Sequence, residues 1–100
     1  MSVSSSVNGN AVNISIIGRF DFSCHKEFRE AYRNTPSGSD NEYTIDMAAT
    51  EYVDSSALGM MLLLREHAGS DSSNVTIKGC RNEVKDILLV SNFDKLFKIS

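Results

Sequence analysis

The sequence predicts an α/β protein built on a mixed sheet of four or five strands, with an N-terminal hairpin and about four helices packed largely on one side. Apolar residues alternate with polar ones in several short segments and recur at helical spacing in others. After the hairpin the two kinds of segment follow each other in turn. β-α-β crossovers of this kind are right-handed and make the later strands parallel.

The N-terminus is predicted to form the hairpin. Val3–Val7 is a serine-rich strand suited to a sheet edge, and Asn8–Asn10 supplies the turn. Ala11–Ile17 is a stronger strand, because apolar and polar residues alternate along it. Gly18 is expected to end this strand and Arg19–Phe22 to form a short connector.

The first helix is predicted to start at Ser23, with Asp21 or Ser23 as its cap. Its apolar face consists of residues at helical spacing: Cys24, Phe28, Ala31 and Tyr32. The polar segment 34–40 is expected to end the helix as a loop. Alternating apolar residues in 42–47 predict the next strand.

A connector over 48–53 is expected to lead to a dense apolar helix over 55–68, capped by Asp54 and closed by Gly69. Gly59 lies inside this helix, where glycine costs about 1 kcal/mol relative to alanine. We therefore expect it to pack closely on the sheet.

The last part of the chain is predicted to contain one strand and two helical pieces. Val75–Lys78 is the strand, and a helix follows from about Arg81. Ser91–Asp94 resembles a capping box that would open a final turn or two through Phe97.

Size and composition restrict the function. A chain of 100 residues, 41% hydrophobic and 23% charged, predicts a single globular domain over 1–100. A net charge of −3 without a basic run argues against nucleic-acid binding, and the longest apolar run, about eight residues, is far below the roughly 20 that span a bilayer. The N-terminus has no signal-peptide pattern, and two cysteines are too few for a disulfide framework. We expect a cytoplasmic protein with no direct membrane insertion, either a monomer or a weak dimer paired through an edge strand.

Short catalytic motifs occur but predict no enzyme. Ser23–Lys26 fits S-x-x-K and Ser39–Asn41 fits S-D-N, yet no K-T-G follows and the chain is too small for a serine β-lactamase. Ser55 and His67 would lie about 18 Å apart along one helix, too far to form a pair. We also expect no cofactor and no metal, because His25 and His67 have no ligand partners at metal spacing.

The most informative segment begins at Asp54. Ser55 and Ser56 follow it in the first turn of the helix, at the end of a β-to-α loop where ligands and partners gather in α/β sheets. A phosphoryl group on Ser55 would add about −1.5 to −2 charges where a helix N-terminus tolerates them. The alternative is that these serines only provide good capping chemistry.

Asp54–Gly59, which reads Asp-Ser-Ser-Ala-Leu-Gly, resembles the D-S-[ST]-[GA]-L-G signature of STAS domains, specifically the bacterial anti-sigma factor antagonists. Gly18–Asp21 and Ile87–Ile99 extend the resemblance to most of the chain, and they include the glycine and aspartate after the second strand and the closing "lF-x-I". Ala57 stands where many members have glycine. The fold that this resemblance implies is STAS-like.

The resemblance also implies a partner-switching function. The unphosphorylated protein would bind an anti-sigma factor and free a sigma factor; a serine kinase, often the anti-sigma factor itself, would inactivate it, and a PP2C-type phosphatase would restore it. Ser55 corresponds to the phosphoacceptor and Ser56 is the second choice, while Asp54 would orient the loop. The partner surface implied is Asp21, Phe22, Asp54, Ser55, Ser56, Ala57 and Leu58.

A second function keeps the fold. Single STAS domains also resemble the small accessory subunit of a bacterial lipid-transporting ABC complex, in which the same surface would support an ATPase. The Ser55-Ser56 pair favours the phosphorylation switch.

Overall fold

The computed structural model describes residues 2–36, 38 and 40–100. Its helices and strands, in chain order, are β1 (Ser2–Asn8), β2 (Ala11–Phe20), α1 (His25–Tyr32), β3 (Glu42–Asp46), β4 (Thr50–Val53), α2 (Ser55–His67), β5 (Asn74–Lys78), α3 (Asn82–Val90) and β6 (Lys98–Ile99). Three short 3-10 turns, Phe22–Cys24, Ser70–Ser72 and Phe93–Lys95, join them. The predicted loop 34–40 includes Ser37 and Ser39, which lie outside the described residues, as does part of the S-D-N motif.

The sheet is mixed. Its strands run in the order β1-β2-β3-β5-β6, and β4 pairs separately with β2. β1 is antiparallel to β2 and lies at the edge, while every later pair is parallel. This confirms the predicted α/β class, the N-terminal hairpin and the parallel later strands.

One face of the sheet carries the core. Alternate residues of the central strands are buried: Val12, Ile14, Ile16, Tyr43, Ile45, Val75 and Ile77. The residues between them are exposed or half-buried, so the second face is open to solvent. The helices therefore pack largely on one side, as predicted.

Two strands were not predicted, and they raise the expected four or five strands of the sheet to six. The first of them, β4, was missed because of Gly18. This glycine has a φ of +89° and the register between β2 and β4 shifts between Gly18 and Arg19, which marks a β-bulge rather than a strand end. β2 therefore continues to Phe20, and β4 pairs with this extension within the segment expected to be a connector. At the other end of the chain, the two-residue strand β6 pairs with β5.

The capping box at Ser91–Asp94 was a wrong prediction. Asn92 precedes the last 3-10 turn with a φ of +61°, and no side chain caps that turn. A left-handed residue at this position stops the chain from continuing as a regular helix.

Gly59 was also interpreted wrongly. It is exposed on α2, and a Cβ built on it meets no atom within 4 Å. Gly59→Ala is therefore expected to raise the free energy of unfolding by about 0.8–1 kcal/mol, because alanine loses less backbone entropy in a helix. Urea denaturation measures the change, and a loss of stability would show that the site is more crowded than the fold indicates.

A polar network joins the end of α1 to the end of α2. The Tyr43 hydroxyl and the Thr35 hydroxyl lie 2.6 Å apart, and Thr35 Oγ1 donates to the Tyr32 carbonyl. His67 Nε2 lies 2.9 Å from the Thr35 carbonyl oxygen, which can only accept, so this nitrogen is the protonated one. His67 is half-buried, and this hydrogen bond holds its ring in place.

Candidate functional site

The strand register brings Asp21 and Asp54 to the same edge of the sheet. Phe20 pairs with Val53 in the parallel β2-β4 ladder, and the Asp54 N–H donates to the Phe20 carbonyl oxygen at 3.2 Å. Asp21 and Asp54 directly follow this last pair, so they lie next to each other at the carboxyl ends of β2 and β4. In α/β sheets this edge is where ligands and partners bind.

Asp54 fixes the start of α2. Its backbone is extended, and its Oδ1 accepts a hydrogen bond of 2.9 Å from the Ala57 N–H. This satisfies one of the amide groups that a helix N-terminus leaves without a partner. The predicted cap is confirmed.

Asp54→Ala is expected to lower the free energy of unfolding by about 1 kcal/mol, because the cap is lost. Asp54→Asn should restore most of that stability, since its side-chain oxygen can accept the same bond. Urea denaturation of the three proteins gives the comparison. Equal stability of the wild type and Asp54→Ala would show that the cap contributes nothing.

The residues in the first turn of α2 differ in their exposure to solvent. Ser55 is exposed and Ser56 is half-buried, whereas Ala57 is fully buried in the core. Leu58 is half-buried and packs against the same core. The burial of Ala57 removes its side chain from the predicted partner surface, because a docking protein cannot reach it without unfolding the turn.

Asp21 is held by its own turn. Its Oδ1 accepts from the Ser23 hydroxyl at 2.5 Å and from the Ser23 N–H at 3.0 Å, and Arg19 Nε lies 3.6 Å from Oδ2. The Ser23 hydrogen bonds, followed by the charge of Arg19, hold the pKa of the Asp21 carboxyl below its usual value. Asp21 therefore keeps its negative charge at the edge of the site to lower pH than an ordinary aspartate.

Phe22 gives this edge an apolar contact. It is 68% exposed, which is unusual for a large aromatic side chain, and its ring stacks on His25 with centroids 5.4 Å apart. Phe22 was predicted to lie at this edge, whereas His25, three residues further along the chain, was not. We call the exposed and half-buried residues at this edge the switch surface: Asp21, Phe22, Asp54, Ser55, Ser56 and Leu58.

Two sequence comparisons give the family. The family model described as "Mlab, STAS domain" matches residues 3–98. A STAS-domain containing protein of Pseudomonas aeruginosa (strain UCBPP-PA14) is 46% identical over 95 residues, covering 95% of this chain and 93% of the relative. The chain belongs to the STAS domain family.

Solved structures with the same fold include anti-sigma factor antagonists. One from Mycobacterium paratuberculosis superposes with a TM-score of 0.77 at 14% identity, covering 98% of this STAS chain and 83% of the other. The antagonist SpoIIAA in its unphosphorylated form gives 0.70 at 13%, covering 99% and 87%. The phosphorylated form of SpoIIAA from Bacillus gives 0.65 at 13%, covering 99% and 91%. At these identities the likeness establishes the STAS fold.

The described part of this STAS chain contains no cluster of three or more His, Cys, Asp or Glu side chains that could hold a metal. Within the same residues, no helix is both long and apolar enough to span a membrane.

Proposed function

We propose that this STAS protein is a phosphorylation-controlled anti-sigma factor antagonist. Its unphosphorylated form binds an anti-sigma factor, or a similar regulator, through the switch surface, and phosphorylation of Ser55 releases that partner. Ser56 is the second choice of acceptor. The protein works in the cytoplasm as the substrate of a serine kinase and a PP2C-type phosphatase, and catalyses no reaction itself.

The exposed hydroxyl of Ser55 is the observation that carries this proposal. It stands at the N-terminus of a 13-residue helix, directly after the capping residue Asp54. An exposed serine is accessible to a kinase, and the positive end of the helix dipole favours the added charge. Ser56 is less exposed, so we place Ser55 first.

Charge explains how one modification would act on binding without unfolding the protein. Ser55 is uncharged and lies beside the carboxylates of Asp21 and Asp54. A partner that docks over Ser55 through neutral or acidic contacts has no cation placed to meet added negative charge. A phosphoryl group on Ser55 adds a further dianion that this partner has no groups to match. Burying an unmatched charge at an interface is costly, which favours release.

A second function also fits the family. The matching family model carries the Mlab name rather than that of the anti-sigma factor antagonists, so we retain the accessory subunit of a lipid-transporting ABC complex as the alternative. In that function the switch surface would bind an ATPase continuously.

Affinity capture from an extract of the source cells tests the two functions together. Tagged Ser55→Ala protein, which cannot be phosphorylated at this position, serves as bait, and mass spectrometry identifies what it retains. The proposed function predicts one regulatory protein with an anti-sigma or kinase domain. Recovery of an ATPase together with a membrane permease would replace it with the ABC function.

Ser6→Ala is the matched control bait. Ser6 is exposed on β1 and pairs with Asn13 near the amino end of β2, at the opposite end of the strand from the switch surface. The control should retain the same partner as the wild type.

A further inference from the structure

A cavity of about 400 Å³ lies between α1 and α2. Its base is apolar, because Phe28, Tyr32 and Met60 line it with side chains that are almost wholly buried. Leu63 forms part of the wall and is 61% exposed. The volume falls within the range of about 300–1,000 Å³ typical of small-molecule sites.

The remaining lining is basic. Arg29 of α1 and Arg33, the residue that caps the C-terminal end of α1, line the cavity about one helical turn apart, and His25 precedes Arg29 by another turn. None of the described residues that line it is acidic, although Asp and Glu outnumber Lys and Arg in the chain by 13 to 10. Glu30 reaches Arg33 only in a solvent-exposed pair at 3.6 Å, which holds it weakly.

Arg29 is close enough to act on the base of the cavity. Burial raises the pKa of the Tyr32 hydroxyl, and the positive charge of Arg29 opposes that increase. His67 also lines the cavity, but its Nε2 is already used by the Thr35 carbonyl. The two guanidinium groups are the permanently charged donors in the lining.

We propose that this cavity binds a small amphipathic anion, namely a carboxylate carried on a compact apolar body. A guanidinium group can form two parallel hydrogen bonds to a carboxylate, so Arg29 and Arg33 would hold the charged end. The apolar body would cover Phe28, Tyr32, Met60 and the exposed part of Leu63, removing their surface from water. This site adjoins the switch surface through His25, whose ring stacks on Phe22, and its ligand binding does not require phosphorylation.

NMR titration of the protein with 4-phenylbutyrate tests the proposal, because changes in amide chemical shift locate the site. 4-Phenylbutylamine has the same apolar body with the opposite charge, and acetate has the charge without the body. We expect saturable shifts confined to α1 and α2 with 4-phenylbutyrate, and binding at least about tenfold weaker with the other two compounds.

Charge-matched variants complete the test. Arg29→Gln/Arg33→Gln should weaken 4-phenylbutyrate binding by at least about tenfold. Arg81→Gln/Lys85→Gln, at two exposed positions at the start of α3 and in its first half, should leave it unchanged. Equal weakening by both pairs would mean that net charge, not this cavity, attracts the anion.

Three further results would overturn the proposal. These are equal binding of the amine, shifts centred away from α1 and α2, and no saturable binding of 4-phenylbutyrate. A blocked Glu-Leu-Leu-Glu peptide is titrated in parallel. If this peptide alone shifts the α1 and α2 resonances, the cavity is part of a protein-docking surface and the small-molecule proposal is wrong.

Discussion

Ser55→Asp is expected to weaken binding of the captured partner by at least about tenfold while leaving the fold intact. The introduced carboxylate joins Asp21 and Asp54 at the switch surface, and like or unmatched charges at an interface cost several kcal/mol, with about 1.4 kcal/mol for each tenfold change. Within the free protein, the N-terminus of α2 stabilises the new charge by about 0.3–1 kcal/mol, which offsets its repulsion by Asp54. The free energy of unfolding should therefore change by less than about 1 kcal/mol.

Ser55→Asn is the control that separates charge from shape. Asparagine has nearly the same size as aspartate but is neutral, so this variant should bind much closer to the wild type. Isothermal titration of the wild type, Ser55→Asp and Ser55→Asn against the purified partner measures the affinity. Urea denaturation of the same three proteins measures the free energy of unfolding. If Ser55→Asn weakens binding as much as Ser55→Asp, steric fit rather than charge controls the contact.

Phe20→Ala is expected to lower the free energy of unfolding by about 3–5 kcal/mol. Phe20 is fully buried, its ring centroid lies 5.1 Å from that of Phe28, and its carbonyl accepts the N–H of Asp54. A cavity here would loosen both α1 and the strand end that positions Asp21. Such a loss is a large part of the 5–15 kcal/mol typical of a folded domain.

Phe22→Ala is the matched control for this prediction, since it removes the same side chain two residues along the chain. Phe22 is 68% exposed, so its removal should change the free energy of unfolding by no more than about 0.5 kcal/mol. Its effect should instead appear as weaker partner binding. Similar losses of stability in both variants would contradict the placement of Phe20 in the core and Phe22 at the surface.

The sequence was sufficient to predict how α2 begins. Asp54 has the side chain that a helix N-cap requires, and the apolar spacing after Ser55 allows few alternatives to a helix. The burial of Ala57 was also predictable, because it lies four and seven residues before Met61 and Leu64 on the same buried face. The partner surface that the family resemblance implies includes Ala57, but its side chain is buried.

The strand β4, the bulge at Gly18 and the cavity beside α1 could not be predicted from the local pattern of apolar and polar residues. In β4 the buried residues are Thr50 and Val53 with two exposed residues between them, so the alternation typical of a strand is absent. A glycine at position 18 is compatible both with the end of a strand and with a β-bulge. Only the pairing of β2 with β4 shows that it forms a bulge. The spacing of Arg29 and Arg33 places them away from the apolar face of the first helix, and the cavity beside them is created only by the packing of α2.

Mapping the phosphate on protein isolated from the source cells tests the central proposal most directly. Tandem mass spectrometry of phosphopeptides, with Ser55→Ala and Ser56→Ala strains for comparison, identifies the modified hydroxyl. We predict phosphate on Ser55, or on Ser56 as the second choice, and its loss from the corresponding alanine strain. Phosphate found only on other residues, or on none under conditions in which the partner is released, would contradict the switch.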